Sequence, residues 1–572
     1  MAARFRSPAW PSAGASSSSS TRRVVAAARG IDGILGAGAR GAVRAELSAL
    51  SLARLPSWFP ELAAWQPSGR FDGRVDFMPA AAAGASGRIE VSGRLSDGRF
   101  GSADGLQAAE GVAIALEARA ESQRGGWRWR GKLAWREGEA YLHPLYLTAG
   151  ASVEAAGRLE PGRLALERAG LVFDGVRTVE ATADYDLAHK RLTRAALAVA
   201  EADLARIGPQ FITPMLAPAR ADTLRYTGIL SAGLRIEAGT LVALDLALDQ
   251  AGVALADGLL GIGPVSGVLP WRRAGVTEAS LSVGHGNWEK LSFGAFDVSA
   301  RIEGESVAIA RIAIPVLDGR LVLSDLALRR DAQGWFGGGS VVVEPVSMSR
   351  LTEAVGLPVM AGVLSASLPG LRVRPGEIAL DGALVISLFD GYLEATGLQL
   401  VEPFGVAPHL YADVTARNID LAQLTDTFAF GSITGFVDAD IRGLELARWR
   451  PVRFDARLRS SPGSYPRRIS QRAVQNIGAL GGPGAALALQ RGFLGLFETF
   501  GYREIGLSCR LADGVCTMDG LPGRTADDGF VIIRGGGIPA LNVIGYNRRV
   551  DWDELLNRLQ RVIESNAAPV IE

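Results

Sequence analysis

Between Gly431 and Arg459 the sequence alternates between apolar and polar residues almost without error. Ile433, Gly435, Val437, Ala439 and Ile441 fall on one side of an extended chain. Ser432, Thr434, Asp438, Asp440 and Arg442 fall on the other, with Phe436 the single intruder. Val452, Phe454, Ala456 and Leu458 then oppose Arg453, Asp455, Arg457 and Arg459. A period of two is what a strand needs when one face is wet and the other dry. Such strands fix a sheet, and leave open what covers its dry face.

The same pattern recurs along most of the chain. Val179–Leu187 and Phe296–Glu303 alternate cleanly, the latter placing Phe296, Val298 and Ile302 on one side. Trp127–Trp135 and Tyr141–Thr148 read as aromatic strands, and turns at Pro161-Gly162, Glu303-Gly304, Asp318-Gly319 and Pro375-Gly376 separate further segments. Short strands at close intervals without long helices between them indicate antiparallel, all-β connections. With 572 residues, 48% hydrophobic and 21% charged, the chain is globular but too long for one ordinary compact domain. The expected fold is mainly β: an elongated, curved antiparallel sheet forming a groove of repeat type, with a few short helices and an amphipathic C-terminal helix. Residues 1–60, rich in Pro, Ala and Ser, read as a disordered leader, 61–400 as the β-rich groove, and 401–572 as a C-terminal region of different character.

A theme repeats inside this layout. Short helical pieces at Asp203–Ile207, Ser349–Glu353 and Asp420–Leu424 are each followed by a strand opening on glycine, at Gly228, Gly362 and Gly435. The intervals are unequal, so this is a recurring device with variable loops and no fixed period.

Towards the C-terminus, Ile469–Leu480 and Ala485–Phe500 read as helices broken by Gly481-Gly482-Pro483-Gly484. Leu489, Phe493, Leu496, Phe497 and Phe500 form a stripe on the second. A last helix, over about 551–565, opens with Asp551 as N-cap and Glu554 three residues on. It aligns Trp552, Leu555, Leu556 and Leu559 on one face. That face either packs across the sheet end or binds a partner or membrane surface. Cys509 and Cys516 flank a hairpin turn at Asp513-Gly514, where facing strands hold them either as a local disulfide or as two buried thiols.

The residues offer no chemistry. No phosphate loop, nucleophile elbow or metal-ligand spacing occurs, and the four histidines are scattered. Asp438 and Asp440 share a polar strand face with Arg442 and read as solvated surface charge. Trp127, Trp129 and Trp135 share a parity with one another, which fits a strand face better than a nucleic-acid stacking platform. A formal net charge of zero supplies no long-range attraction to nucleic acid. The expectation is a protein that is not an enzyme, holds no cofactor or metal and binds no nucleic acid.

Predicted helix is too scarce to cover a sheet of this extent, which leaves a sandwich, a closed barrel or a gutter filled by an apolar ligand. Here a resemblance helps. Gly431–Gly435 through Trp449–Val452, the Ile469–Leu480 helix and the terminal stretch Gly545–Trp552 resemble the C-terminal part of the bacterial AsmA-like superfamily, which includes AsmA, TamB, YhdP and YdbH. The repeated Gly-led strands are in the same style over roughly residues 140–572. The resemblance implies a periplasmic β-groove of the Gram-negative envelope, associated with the inner membrane, that shields or conducts phospholipid acyl chains towards the outer membrane. The alternative is a structural adaptor for outer-membrane protein assembly, with envelope proteins as partners. On this reading Ile433, Val437, Ile441, Val452, Phe454, Leu458, Phe296, Val298 and Ile302 line the groove, and an oxidising periplasm suits a Cys509–Cys516 bridge. The superfamily's N-terminal membrane helix has no counterpart: no window approaches the ~20 apolar residues of a span, and the apolar run Val24–Ala28 after Arg22-Arg23 stops at Arg29. The expectation is either a protein soluble where it is made or a chain whose start is incomplete or misassigned.

Overall fold

A computed structural model describes residues 23–25, 33–37, 42–80, 86–218, 222–403, 405, 407–480, 497–523 and 529–567. The protein is 67% strand and 13% helix, so the expected mainly β, antiparallel architecture with a few short helices is what the chain adopts. Contacts divide it into two units, 1–246 and 247–572, and the division falls inside the strand Thr240–Leu255.

In the first unit each long strand lies antiparallel to its neighbour in sequence, from Val43–Ser51 through Leu224–Glu237. Val43–Ser51 pairs with Ser68–Met78, and helical turns follow it at Leu52–Arg54, Leu55–Trp58 and Pro60–Trp65. Strands at Arg23–Val25, Gly33–Ala37 and Val43–Ser51 therefore lie inside the stretch read as a disordered leader. Its Pro/Ala/Ser composition gives way at Val43 to VRAELSALS, whose apolar residues have a strand to pair with.

The second unit continues the meander from Leu260–Arg272 to Arg450–Ser460. It then changes character. Thr499–Ala512 pairs with Arg450–Ser460 along one part of its length and with Arg468–Ser470 and Phe530–Gly535 along another. Of the expected helix Ile469–Leu480, Gln471–Leu480 is helical, while Ile469 and Ser470 belong to the strand Arg468–Ser470. Of the second expected helix, residues 485–496, including Leu489, Phe493 and Leu496, lie outside the described residues, and Phe500 sits on a strand instead. Ile469, Ala473, Val474, Phe500, Tyr502 and Ile533 are buried to 4% exposure or less in a closed core that also takes in Ile433 and Val437.

The recurring helix-then-glycine device is a precise structural duplication. A shift of 73 residues carries the pairs Gly337 opposite Val373 and Ser347 opposite Val363 onto Leu410 opposite Leu446 and Asp420 opposite Phe436, and every pair between coincides. Inserted between those strands are the helices Met348–Val355 and Leu421–Thr427. Thr352 and Thr425, both buried, hydrogen-bond back to the Met348 and Leu421 carbonyls at 2.8 and 2.7 Å. Each hydroxyl also accepts the N–H of the residue eight further on, Met360 or Ile433, at 3.3 Å. The first unit holds a third copy, with Asp203 opposite Ile229 and Leu197 opposite Leu234 around the helix Leu204–Ile207. Asp203 and Asp420 cap their helices by accepting backbone N–H groups, the preferred chemistry at that position.

All three copies bulge just before the helix, and in two of them the bulge explains one polar residue in the facing strand. Glu201 and Asn418 sit at φ 49° and 54°, and their N–H groups leave the ladder. Ser231 Oγ accepts from Glu201 at 3.2 Å, and Asp438 Oδ1 accepts from Asn418 at 3.0 Å. In the remaining copy the matching residue is Pro345, which has no N–H to satisfy.

Candidate apolar binding surface

Register turns the alternation of single strands into rows that cross the sheet. In the second unit one row runs Ile314, Leu321, Val343, Ala366, Leu384, Ala395, Val414, Ile441, Ala456, Cys509, each residue directly opposite the next. A second on the same face runs from Ile302 through Val307, Leu328, Gly337, Val373, Ile378, Leu400 and Leu410 to Leu446. The first unit has its own: Leu116, Leu133, Val153, Leu171, Val179, Val199, Ala232. Beside it lies the row Ala120, Trp129, Gly157, Leu166, Ala183, Ala195, Ile236. The Trp129 ring lies over Gly157, where an added Cβ would meet it at 2.9 Å. Trp127 and Trp135 share this apolar face, as their parity indicated.

No member of these rows is charged, yet few are buried. In the row from Ile314 to Cys509 only Ala366 is buried, and in the row from Leu116 to Ala232 only Val179 is. A second sheet or a helical layer packed on this face would bury its side chains as Ile469 and Phe500 are buried, at 0% exposure. The described helices Leu204–Ile207, Met348–Val355 and Leu421–Thr427 do not supply such a layer, since each sits at one strand end, in the crossover between two strands.

The opposite face carries the charge. Lys132 Nζ lies 2.6 Å from Glu154, Arg119 lies 2.6 Å from Glu121, and Arg163 lies 2.6 Å from Asp184. The hydrogen bond from Arg119 holds the Glu121 carboxyl below its usual range, and that from Lys132 does the same for Glu154. These exposed pairs keep the outer face wet and contribute little to stability.

The structure sorts the lining residues expected from the sequence. Phe296, Val298 and Ile441 are half-buried members of the open face, and Ile302 joins it at 7% exposure. Leu458 is half-buried and packs against the closed core. Ile433 and Val437 are core residues outright, at 5% and 2% exposure. Gly435, at φ 127°, breaks the expected continuous strand, so Ile433 pairs with Ile469 on a short separate ladder. Phe454 is buried under the Trp552 ring, 5.3 Å away, and Val452, near the hairpin end, is 39% exposed.

Asp440 pairs with Arg417 at 2.6 Å, which raises the Arg417 pKa. Asp438 differs from expectation: it is 6% exposed and accepts from Ser461 Oγ at 2.7 Å as well as from the Asn418 N–H. The segment carrying Ser461 and Tyr465 covers it, and Tyr465 packs edge-on against Phe436 at 5.1 Å, which accounts for the one apolar residue on that strand's polar side.

Cys509 and Cys516 are joined as a disulfide across the diagonal of their hairpin. The helix Trp552–Ala567 is amphipathic, with Asp551 Oδ1 accepting the Glu554 N–H at 2.9 Å at its start. Its face docks on the protein itself: Trp552 meets Phe454, Leu555 and Leu559 are half-buried, and only Leu556 of the four stands 40% exposed. Among the described residues no cluster of His, Cys, Asp or Glu could hold a metal ion, and no helix is long and apolar enough to cross a membrane. Sequence reasoning found individual dry faces but not the rows, because which residues stand opposite one another depends on bulges and turns. Comparison with known protein families, with curated proteins and with solved structures finds no match.

Proposed function

We propose that the uncovered apolar face is a lipid-binding surface, along which acyl chains of phospholipid lie across the strands while the charged face stays in water. One observation supports the reading above all: rows such as Ile314 to Cys509 are apolar in every member, yet all but Ala366 remain half-buried. An apolar surface of that extent needs an apolar cover. Each methylene laid on it contributes ~0.8 kcal/mol if fully removed from water, so a single tail supplies ample affinity. The rows offer no catalytic group, and the role is binding and shielding without chemistry. The resemblance to AsmA-like proteins supplies the setting, a periplasmic, inner-membrane-associated protein of the Gram-negative envelope that shields phospholipid moving towards the outer membrane.

Native mass spectrometry of the protein extracted in mild detergent tests this. Phospholipid should co-purify, and Leu384→Arg with Val414→Arg, which place charge within one row, should lower the bound lipid severalfold while circular dichroism stays unchanged. A folded wild-type protein free of lipid overturns the reading.

A further inference from the structure

The duplicated strand–helix–strand device contains its own comparison. In the copy built around Leu421–Thr427, the Phe430 N–H donates to the Thr425 carbonyl at 2.8 Å. Asn476, on the helix Gln471–Leu480, donates its side-chain N–H to the Phe430 carbonyl at 2.8 Å. That helix lays Ala473 and Val474 into the core beside Ile433. In the copy built around Met348–Val355, Leu357 occupies the place of Phe430 and donates to the Thr352 carbonyl at the same 2.8 Å. Among the described residues no helix lies over this patch, where Lys290 Nζ reaches the neighbouring Val355 carbonyl at 2.8 Å and Leu357 and Val359 stay 51% and 65% exposed. Among the described residues no donor meets the Leu357 carbonyl.

Connectivity accounts for the difference. In the covered copy, the strand Arg450–Ser460 returns and the chain runs on through 461–470 into the helix Gln471–Leu480. In the other, the equivalent strand Glu377–Leu388 turns at Phe389-Asp390 directly into Gly391–Val401, with no helix between them. The bare patch is continuous with the covered interface, because Met360, one residue beyond Val359, belongs to the same buried cluster as Ala473 and Val474.

We propose that Leu357–Val359 is the docking site for an amphipathic helix of a partner polypeptide. The helix seats an apolar stripe of small and branched residues on Leu357 and Val359 and directs an amide side chain at the Leu357 carbonyl, as Gln471–Leu480 does at Phe430. The inference rests on the duplicated geometry and is independent of the lipid reading.

Two measurements on the full-length protein test it. A fluorescently labelled peptide spanning residues 468–480 should bind saturably, and Leu357→Asp or Val359→Asp should each weaken it at least tenfold. Both side chains are exposed, so an unchanged circular dichroism spectrum and melting temperature separate lost docking from lost folding. Absence of saturable binding, or binding indifferent to both substitutions, overturns the proposal. In the source cells, a photo-crosslinking amino acid at position 357 should form adducts that map to one face of a helix in another polypeptide. Adducts to lipid alone, or to a second copy of this chain, overturn it as well.

Discussion

The strands between Phe296 and Asp420 and the closed core around Ile469, Phe500 and Ile533 are built from the same kind of sequence and end in opposite conditions. Both alternate apolar with polar residues. In the strand field most members of the apolar rows stay half-buried. In the core the chain stops pairing in simple order, folds Thr499–Ala512 back across two ladders and lays a helix over the result, and its buried apolar side chains lie at 0–9% exposure. Alternation therefore says that a face is dry without saying what dries it. The difference lies in the connections, which in one region add a covering layer and in the other do not.

Truncation separates the regions most sharply. Phe500→Ala should cost about 3–5 kcal/mol, the range for a fully buried aromatic side chain. Leu384→Ala, half-buried on the open face, should fall well below the ~2 kcal/mol floor for buried leucines. Urea denaturation monitored by tryptophan fluorescence compares them, and equal losses would show that the open face is packed shut. Next in size is the bulge. Asp438→Ala leaves the Asn418 N–H and the Ser461 hydroxyl without their acceptor and should cost roughly 2–3 kcal/mol, the upper range for a buried group stripped of its partner. Ser365→Ala, at the matching position in the copy where Pro345 has no N–H, should stay within about 0.5 kcal/mol. A Ser365 effect as large as that of Asp438 would break the equivalence of the two copies.

A further comparison concerns alkaline pH. Burial raises the Tyr502 pKa above its ordinary value of 10.0, while its hydroxyl donates to the Thr434 carbonyl at 2.7 Å. A phenol kept neutral in the fold but free to ionise when unfolded stabilises the protein below pH 10, and the contribution declines as pH rises beyond that. Tyr502→Phe should cost about 1 kcal/mol at pH 7. It should also flatten the loss of stability above pH 10, as thermal melts across an alkaline series will record. An unaltered alkaline limb would place the titrating group elsewhere.

Much of the fold is legible in the sequence, because period two survives in nearly every strand and the Gly-led device is visible at Gly228, Gly362 and Gly435. The limits are equally specific. Ile433 and Ile441 look alike in a one-dimensional pattern, and only the break at Gly435 sends the first into the core and leaves the second on the open face. Asp438 has the parity of a surface residue and is buried because a segment more than twenty residues further on closes over it. Trp552 leaves open in sequence whether its helix packs on the sheet or meets a partner, and only the fold sets it over Phe454. Each miss involves a contact between residues remote in sequence, which local periodicity does not encode.

The meander has one more consequence, for how such a chain acquires its structure. Through most of its length each strand needs only the strand before it, so the sheet can grow by accretion, one hairpin at a time, with short loops to close and little delay at any step. Growth leaves a single bare edge that each new strand covers as it arrives. The return of Thr499–Ala512 onto Arg450–Ser460 and Arg468–Ser470 is where that economy ends. It requires the whole C-terminal segment at once, which makes it the slowest closure in the second unit and the place where an interrupted chain would be left with its edge exposed.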